Sequence, residues 1–376
     1  MPRPIQATIH TAHLSHNLQV LKNKAPNSRL WATVKANAYG HGIRHVYEAL
    51  RAADGFAVLD LDEAALLREL GWRGPILLIE GVFDARDLEL CSRLNLWHVV
   101  HTQEQIDMLA AHKTHTPQRV FLKLNSGMNR LGFEPAAFRG AYARLAALPQ
   151  ADEITLMTHF SDADGPRLGR DGIDHQLAVF AAATQDLAGE KTLANSAAIL
   201  RYAEQSGLQV AQDWVRAGIA LYGSAPDYPQ HASADWGLRP AMSLSSQLIS
   251  VRDIAAGQTV GYGSTFCAEQ PMRIGIVACG YADGYPRHAP TGTPVLVHGQ
   301  RSRTLGRISM DMLAVDLTHI AGAGFGSPVT LWGCFTGAEG ETAALSIDEV
   351  ARAADTLGYE LMCAVAARVP YVSWSK

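Results

Sequence analysis

Up to Gly223, apolar residues fall into short runs separated by stretches of helical spacing. The runs are Leu30–Lys35, Phe56–Leu59, Ile76–Ile79, Trp97–Val100, Val120–Leu124, Ile154–His159, Thr192–Asn195 and Trp214–Arg216. They are nearly continuous rather than alternating, the pattern of parallel strands covered on both faces. Between them, Leu14, Leu18 and Leu21 stand at i, i+4, i+7, and Leu177, Phe180, Ala181, Thr184 and Leu187 form a similar stripe. Eight such strands, each followed by a helix, predict an α/β fold with a (β/α)8 TIM-type barrel. A doubly wound sheet is the alternative, because strand order is not written in a single sequence.

The texture changes after Gly223. Residues 224–238 are rich in Pro, Asp, Ser and Gly and read as a linker. Shorter runs follow at Met242–Val251, Met272–Cys279, Pro294–Val297, Thr304–Ile308, Leu313–Leu317 and Val329–Trp332, separated by glycine-rich turns. They predict a mostly-β domain. One helix is expected from Ser346, where Ser346 and Glu349 have the spacing of a capping box. The expected division is a barrel over 1–230 and a β domain over 231–376.

Composition narrows the function classes. The 376 residues suit two domains, and a net charge of −4 does not mark a nucleic-acid or membrane-surface binder. No apolar run reaches the length of a transmembrane helix, and Met1–His10 lacks the apolar core of a signal peptide. Cys91, Cys267, Cys279, Cys334 and Cys363 are dispersed, which reads as reduced thiols in a cytoplasmic protein.

The chemistry concentrates at strand ends. Lys35, Lys123, His159, Asn195 and Arg216 each close a different predicted strand, and barrel active sites are built from such residues. Lys35 is followed by small residues and glycines. A lysine desolvated there loses proton affinity and can condense with a carbonyl.

The string Val34-Lys-Ala-Asn-Ala-Tyr-Gly-His-Gly42 closely resembles the cofactor-lysine signature of bacterial alanine racemases. Further matches follow in order: Leu122-Lys-Leu-Asn-Ser-Gly-Met-Asn-Arg-Leu-Gly132, Met157-Thr-His-Phe160, Asn195-Ser-Ala197, Val215-Arg-Ala-Gly-Ile-Ala-Leu-Tyr-Gly223, Gly261-Tyr-Gly263, Gly280-Tyr-Ala-Asp-Gly-Tyr-Pro-Arg287 and Gly306-Arg-Ile-Ser-Met-Asp311. The resemblance covers nearly the whole chain. It implies a pyridoxal 5'-phosphate enzyme, with an N-terminal barrel and a C-terminal β domain in a head-to-tail homodimer.

By the same resemblance, Lys35 carries the cofactor and serves the D face of the substrate, while Tyr262 serves the L face. A phenol of pKa ~10 is a poor base at neutral pH, so His159 is the expected relay. Arg216 faces the pyridine nitrogen. Tyr39, Ser196, Gly218, Ile219 and Tyr359 are expected around the phosphate, since helix starts and the last barrel strands favour it. Arg130 and the Met310 N–H would take the substrate carboxylate. Lys123 is expected to carry a carbamate beside Arg130. Tyr281 would narrow the entrance, with Asp164, Arg287 and Arg307 along the corridor. Tyr262, Tyr281 and Met310 would come from the other subunit.

Other signals fall away. Gly322-Ala-Gly-Phe-Gly326 lacks the spacing of a dinucleotide loop and precedes a strand. His41 and His45 lack the HExxH context of a zinc pair, so no metal is expected. The expected activity is interconversion of L- and D-alanine, for a bacterial cell wall or to degrade one enantiomer. Serine is a second candidate substrate, because an apolar pocket separates methyl from hydroxymethyl poorly. A fold-related decarboxylase is disfavoured by Arg216, and a cofactor carrier by the second domain.

Overall fold

A computed structural model describes residues 3–113, 117–169, 172–205, 208–338 and 340–374. The chain divides into two compact units. The barrel unit is Ser15–Ala38 with Gly42–Leu221; the sheet unit is Met1–Leu14, Tyr39–His41 and Tyr222–Lys376. The main break falls between Leu221 and Tyr222, and the N-terminal segment and Tyr39–His41 group with the sheet unit. The N-terminal strand β1 (Gln6–His10) pairs antiparallel with a strand of the sheet unit, Gln6 opposite Ser245 and Ile9 opposite Met242. Such long-range pairing leaves no local mark in sequence.

The barrel unit closes as β2 (Arg29–Thr33), β3 (Gly55–Val58), β4 (Ile76–Leu78), β5 (Trp97–Val100), β6 (Gln118–Lys123), β7 (Ala151–Met157), β8 (Lys191–Thr192) and β9 (Trp214–Ala217). All neighbours are parallel, and β9 returns to β2 with Trp31 opposite Arg216. The closed ring bears out the TIM-type barrel over the doubly wound sheet.

Strand ends moved by up to three residues. The run Ile154–His159 is strand only as far as Met157, and Thr192–Asn195 only at Thr192. Leu193 and Ala194 are buried beyond the strand end, although the Ala194 carbonyl still accepts from the Arg216 N–H at 2.9 Å.

Trp31, Ala57, Leu77, Trp97, Val99, Phe121, Met157 and Trp214 form one buried cluster drawn from seven of the barrel strands. Trp31 stacks on Trp214 with ring centres 4.2 Å apart and meets Trp97 edge-on at 5.4 Å. Offset and edge contacts of this kind suit the ring quadrupoles. A Cβ at Gly55 would lie 2.2 Å from the Trp31 ring, so only glycine fits there.

Leu14, Leu18 and Leu21 are buried, on helix Thr11–Lys24, as their spacing predicts. The second stripe needs correction. Helix Asp174–Thr184 buries Gln176, Phe180, Ala183 and Thr184, while Ala181 is exposed and Leu187 lies beyond its end. Gln176 takes a core position because its amide is fully engaged, as described below.

The sheet unit is mostly β, as expected. It adds β10 (Met242–Ile254), β11 (Thr259–Val260), β12 (Phe266–Cys267), β13 (Met272–Val277), β14 (Pro294–Val297), β15 (Gln300–Leu305), β16 (Leu313–Asp316), β17 (Pro328–Thr336), β18 (Thr342–Leu345) and β19 (Tyr371–Trp374). Nine strands make one sheet in the order β18-β17-β14-β15-β16-β13-β10-β1-β19. The segment read as a linker is tied down inside this unit. The Asp348 carboxylate accepts hydrogen bonds from the Ser224 hydroxyl, the Ala225 N–H (2.9 Å) and the Ser233 hydroxyl (3.1 Å). The capping box at Ser346 also differs: the Ser346 hydroxyl accepts from the Asp348 N–H at 3.1 Å, and Glu349 pairs with Arg301.

Candidate active site

Strand β2 ends two residues before Lys35, although the Val34 N–H still bonds the Ala57 carbonyl at 2.8 Å. The chain then turns left-handed over Ala36, Asn37 and Ala38, with φ of 53°, 51° and 57°. Tyr39 follows with φ 50°. Each such residue costs about 1–2 kcal/mol for a side chain with a Cβ. Non-glycine residues held this way mark a place where geometry matters more than stability.

Four cations gather at the C-terminal end of the barrel. The partly buried His159 ring is held far below its ordinary proton affinity, first by desolvation, then by Arg216, Lys123, Arg130 and Lys35. His159 is therefore neutral at any working pH. Lys123, the last residue of β6, is 5% exposed. Burial, then Arg216 and Arg130, lower its pKa to about 8, against a small opposing pull from Glu80. Arg130 itself is exposed. Positive charge around the buried Lys123 amine therefore favours anionic ligands at this end of the barrel.

Arg216 is buried, and burial lowers its pKa to about 9, so it remains a cation at neutral pH. Its guanidinium donates to Thr192 Oγ1 (2.6 Å), the Thr158 carbonyl (2.7 Å) and the Leu193 carbonyl (2.9 Å). A longer contact of 3.4 Å reaches His159 Nδ1. If Nδ1 accepts there, the imidazole proton sits on Nε2.

A buried polar chain braces the strand ends that carry Lys123 and His159. Gln176 donates to Ser126 Oγ and to the His159 carbonyl, both at 3.0 Å. Ser126 Oγ lies 2.7 Å from Thr158 Oγ1, which donates to the Leu124 carbonyl at 3.0 Å. Sequence reading missed these groups. A glutamine on a buried helical face was the available signal; the carbonyls around Arg216 left none.

Helix Ser196–Tyr202 is capped by Asn195, whose side chain accepts from the Ala198 N–H at 3.0 Å. Ser196 is thus its first residue rather than the cap. Ser196 Oγ accepts from the Gly218 N–H at 2.8 Å and from the Ala220 N–H at 3.4 Å. The Gly218 N–H is accordingly engaged within the protein. Ile219 opens the short turn Ile219–Tyr222 and is buried.

The remaining residues of interest, Asp164 excepted, belong to the sheet unit. Tyr39 is buried, stacked on Tyr222 at 4.7 Å, with Tyr359 tilted against it at 6.0 Å. Burial raises the Tyr39 phenol, so it stays a hydrogen-bond donor. At Gly40, with φ 77°, a Cβ would fall 2.1 Å from the Met362 carbonyl, which reserves the position for glycine. Tyr262 is 73% exposed on a turn flanked by Gly261 (φ 76°) and Gly263 (φ 72°). Tyr281 and Met310 are also exposed, and the Tyr281 N–H bonds the Ser309 carbonyl at 3.0 Å. Asp164, Arg287 and Arg307 are all exposed. The fold thus brings Lys35, Lys123, Arg130, His159 and Arg216 into one electrostatic group, and holds Tyr262, Tyr281 and Met310 in a separate unit.

Among the described residues, no helix is long and apolar enough to cross a membrane, and no His/Cys/Asp/Glu cluster could hold a metal.

Comparison with known proteins agrees over the whole length. The alanine racemase N-terminal domain family matches residues 9–226, and the alanine racemase C-terminal domain family matches residues 241–373. The alanine racemase of Polaromonas naphthalenivorans is 67% identical over 370 residues, covering 98% of this chain and 99% of its own. That of an Acidovorax strain is 66% identical over 372 residues, covering 99% of each. The crystal structure of the biosynthetic alanine racemase of Pseudomonas aeruginosa superimposes with a TM-score of 0.91 at 48% identity, covering 99% of both chains. Fold, strand-end chemistry and these likenesses together place the chain in the alanine racemase family, whose members are amino-acid-racemising isomerases.

Proposed function

We propose that this racemase uses pyridoxal 5'-phosphate on Lys35 and two proton-transferring groups, Lys35 on the D face and Tyr262 on the L face. The observation that carries the reading is the cluster of Lys35, Lys123, Arg130 and Arg216 around a neutral His159. A phosphorylated aldehyde and an amino-acid carboxylate would add negative charge beside these cations, where Glu80 already pulls on Lys123. When bound, the cofactor delocalises the electron pair left as the α-proton departs.

Arg216 would hydrogen-bond the cofactor's ring nitrogen. It stays protonated and cannot give its proton away, so that nitrogen remains neutral. Ser196, Ile219, Tyr39 and Tyr359 would hold the phosphate, with the Gly218 N–H holding Ser196 Oγ in place unless it turns to the phosphate itself. Of these, Ser196 Oγ accepts two N–H bonds and keeps its own proton to donate, and the Tyr39 phenol stays protonated. Arg130 and the Met310 N–H would receive the substrate carboxylate, with Tyr281 narrowing the approach. His159 cannot gain a proton among four cations, so its part is to donate a hydrogen bond from Nε2 that makes Tyr262 a better base. Tyr262, Tyr281 and Met310 would be supplied by a second copy of the chain, in a cytoplasmic homodimer that makes D-alanine for peptidoglycan.

The test is incubation of purified protein and pyridoxal phosphate with L-alanine in D2O. D-alanine labelled at the α-carbon is expected, with L-serine turned over more slowly. Labelled L-alanine with no D-alanine would remove the second base. No exchange by cofactor-loaded protein would overturn the reading.

Lys123 is the proposed carbamate site. Its lowered pKa leaves about a tenth of the amine neutral at pH 7, and the neutral amine adds to CO2 to give a carbamate and a proton. A carbamate would turn a cation beside Arg130 into an anion. Without it, the folded protein holds a cation whose pKa falls from 10.5 to about 8, a penalty on the order of 3 kcal/mol. That penalty is full below the folded pKa and is relieved as pH rises from about 8 toward 10.5. In CO2-free buffer at pH 7, Lys123→Met should therefore be more stable than wild type in urea titrations, while less active. Bicarbonate should stabilise wild type alone, with the mass of one CO2 added. Free amine throughout and an unmoved midpoint would refute the carbamate.

A further inference from the structure

Glu63 belongs to none of the groups above. It lies in the first turn of helix Leu61–Glu69, whose cap is Asp60, with Asp60 Oδ1 accepting from the Glu63 N–H at 2.9 Å. A glutamate at this position ordinarily folds back onto the N–H groups at its own helix start. Glu63 does so in part: its Oε2 accepts from the Leu59 N–H at 3.1 Å. Its Oε1 instead crosses to the neighbouring strand end and accepts from the Asn37 N–H at 2.8 Å.

Asn37 is the centre of the left-handed turn that follows Lys35. The turn is held at several points. The Ala38 N–H bonds the Val34 carbonyl at 2.7 Å, and the Gly42 N–H bonds the Asn37 carbonyl at 2.8 Å. Asn37 Oδ1 takes the Ile43 N–H at 3.0 Å, at the start of helix Ile43–Leu50. The Asn37 N–H, however, points away from the turn, and Glu63 is its partner. Asn37 is exposed, so removing the carboxylate leaves its N–H to water; what is lost is the charge-assisted bond that holds the strained turn. Burial raises the Glu63 pKa, and the bonds from Asn37 and Leu59 work against that rise.

We propose that Glu63 is a positioning residue for Lys35: by bridging the Leu59 and Asn37 N–H groups it locks the left-handed turn that fixes where the Lys35 side chain starts. The role rests on the reading that Lys35 carries the cofactor. The bonds the Glu63 carboxylate makes are to backbone N–H groups, so it acts on Lys35 through the backbone.

The experiment compares full-length, cofactor-loaded wild type, Glu63→Ala and Glu63→Gln. Borohydride trapping with peptide mapping first locates the cofactor. Three readouts follow: the rate at which hydroxylamine strips the cofactor from its lysine, the induced circular dichroism of the bound cofactor, and amide hydrogen exchange over 34–43. Glu63→Ala should lose cofactor roughly tenfold faster, about the effect of one charge-assisted hydrogen bond, with altered dichroism and faster exchange confined to 34–43 and 59–63. Glu63→Gln, which keeps one acceptor oxygen, should fall between. Stripping at the wild-type rate in Glu63→Ala, or exchange raised equally in the remote strand β13, would overturn the positioning role. A wild type whose cofactor maps to another lysine would overturn the cofactor reading, and the positioning role with it.

Discussion

Lys35→Ala is expected to lower racemisation by roughly four orders of magnitude or more, because one side chain holds the cofactor and moves a proton. The fold should survive. Lys35 stands before the left-handed stretch Ala36–Ala38, so the substitution leaves the strained turn and its hydrogen bonds in place. It also removes one of the cations that depress Lys123 and His159, so the barrel end becomes easier to hold together. Stability should therefore be unchanged or slightly raised while activity disappears. Chiral chromatography and a thermal melt check both halves of the expectation. Activity above about a hundredth of wild type, with the cofactor still linked to protein, would place the cofactor on a different lysine.

The barrel was legible because its strands are buried on both faces and so read as unbroken apolar runs. Their ends were not, because apolar residues such as Leu193 stay buried beyond the strand end. Strands β1 and β19 escaped notice for another reason. Ala7 pairs with Tyr371 across nearly the whole chain, and neither segment carries a turn or a long apolar run to announce it. In the candidate site, strand-end position together with the family resemblance singled out Lys35, Lys123, His159 and Arg216, which the fold brings into one electrostatic group. Their support was hidden, since Arg216 is fixed largely by two backbone carbonyls, which any residue can provide. The left-handed turn after Lys35 was hidden too: it is built from Ala36, Asn37 and Ala38, not from the glycines that usually betray such a conformation. Glu63 could be read from sequence only as a helix-start carboxylate. Its bond to Asn37 depends on two strand ends being neighbours.

Tyr262→Phe gives the second large effect and the more discriminating one. The ring is mostly exposed in the chain, so losing its hydroxyl should leave stability within about 0.5 kcal/mol of wild type. Racemisation should fall by about 10²–10⁴-fold, the usual contribution of a positioned acid–base group. The two directions must fall together, because the free energies of L- and D-alanine are equal and no catalyst can alter their ratio. Exchange of the α-proton with D2O need not fall together. If Lys35 serves the D face and Tyr262 the L face, the variant should still wash the α-proton out of D-alanine. It should almost cease to do so for L-alanine. Wild-type protein should exchange both. Equal loss from the two enantiomers would mean that Tyr262 shapes the site without carrying a proton. Equal retention would mean that a different group works on the L face, and would leave His159, neutral among its four cations, without a phenol to assist.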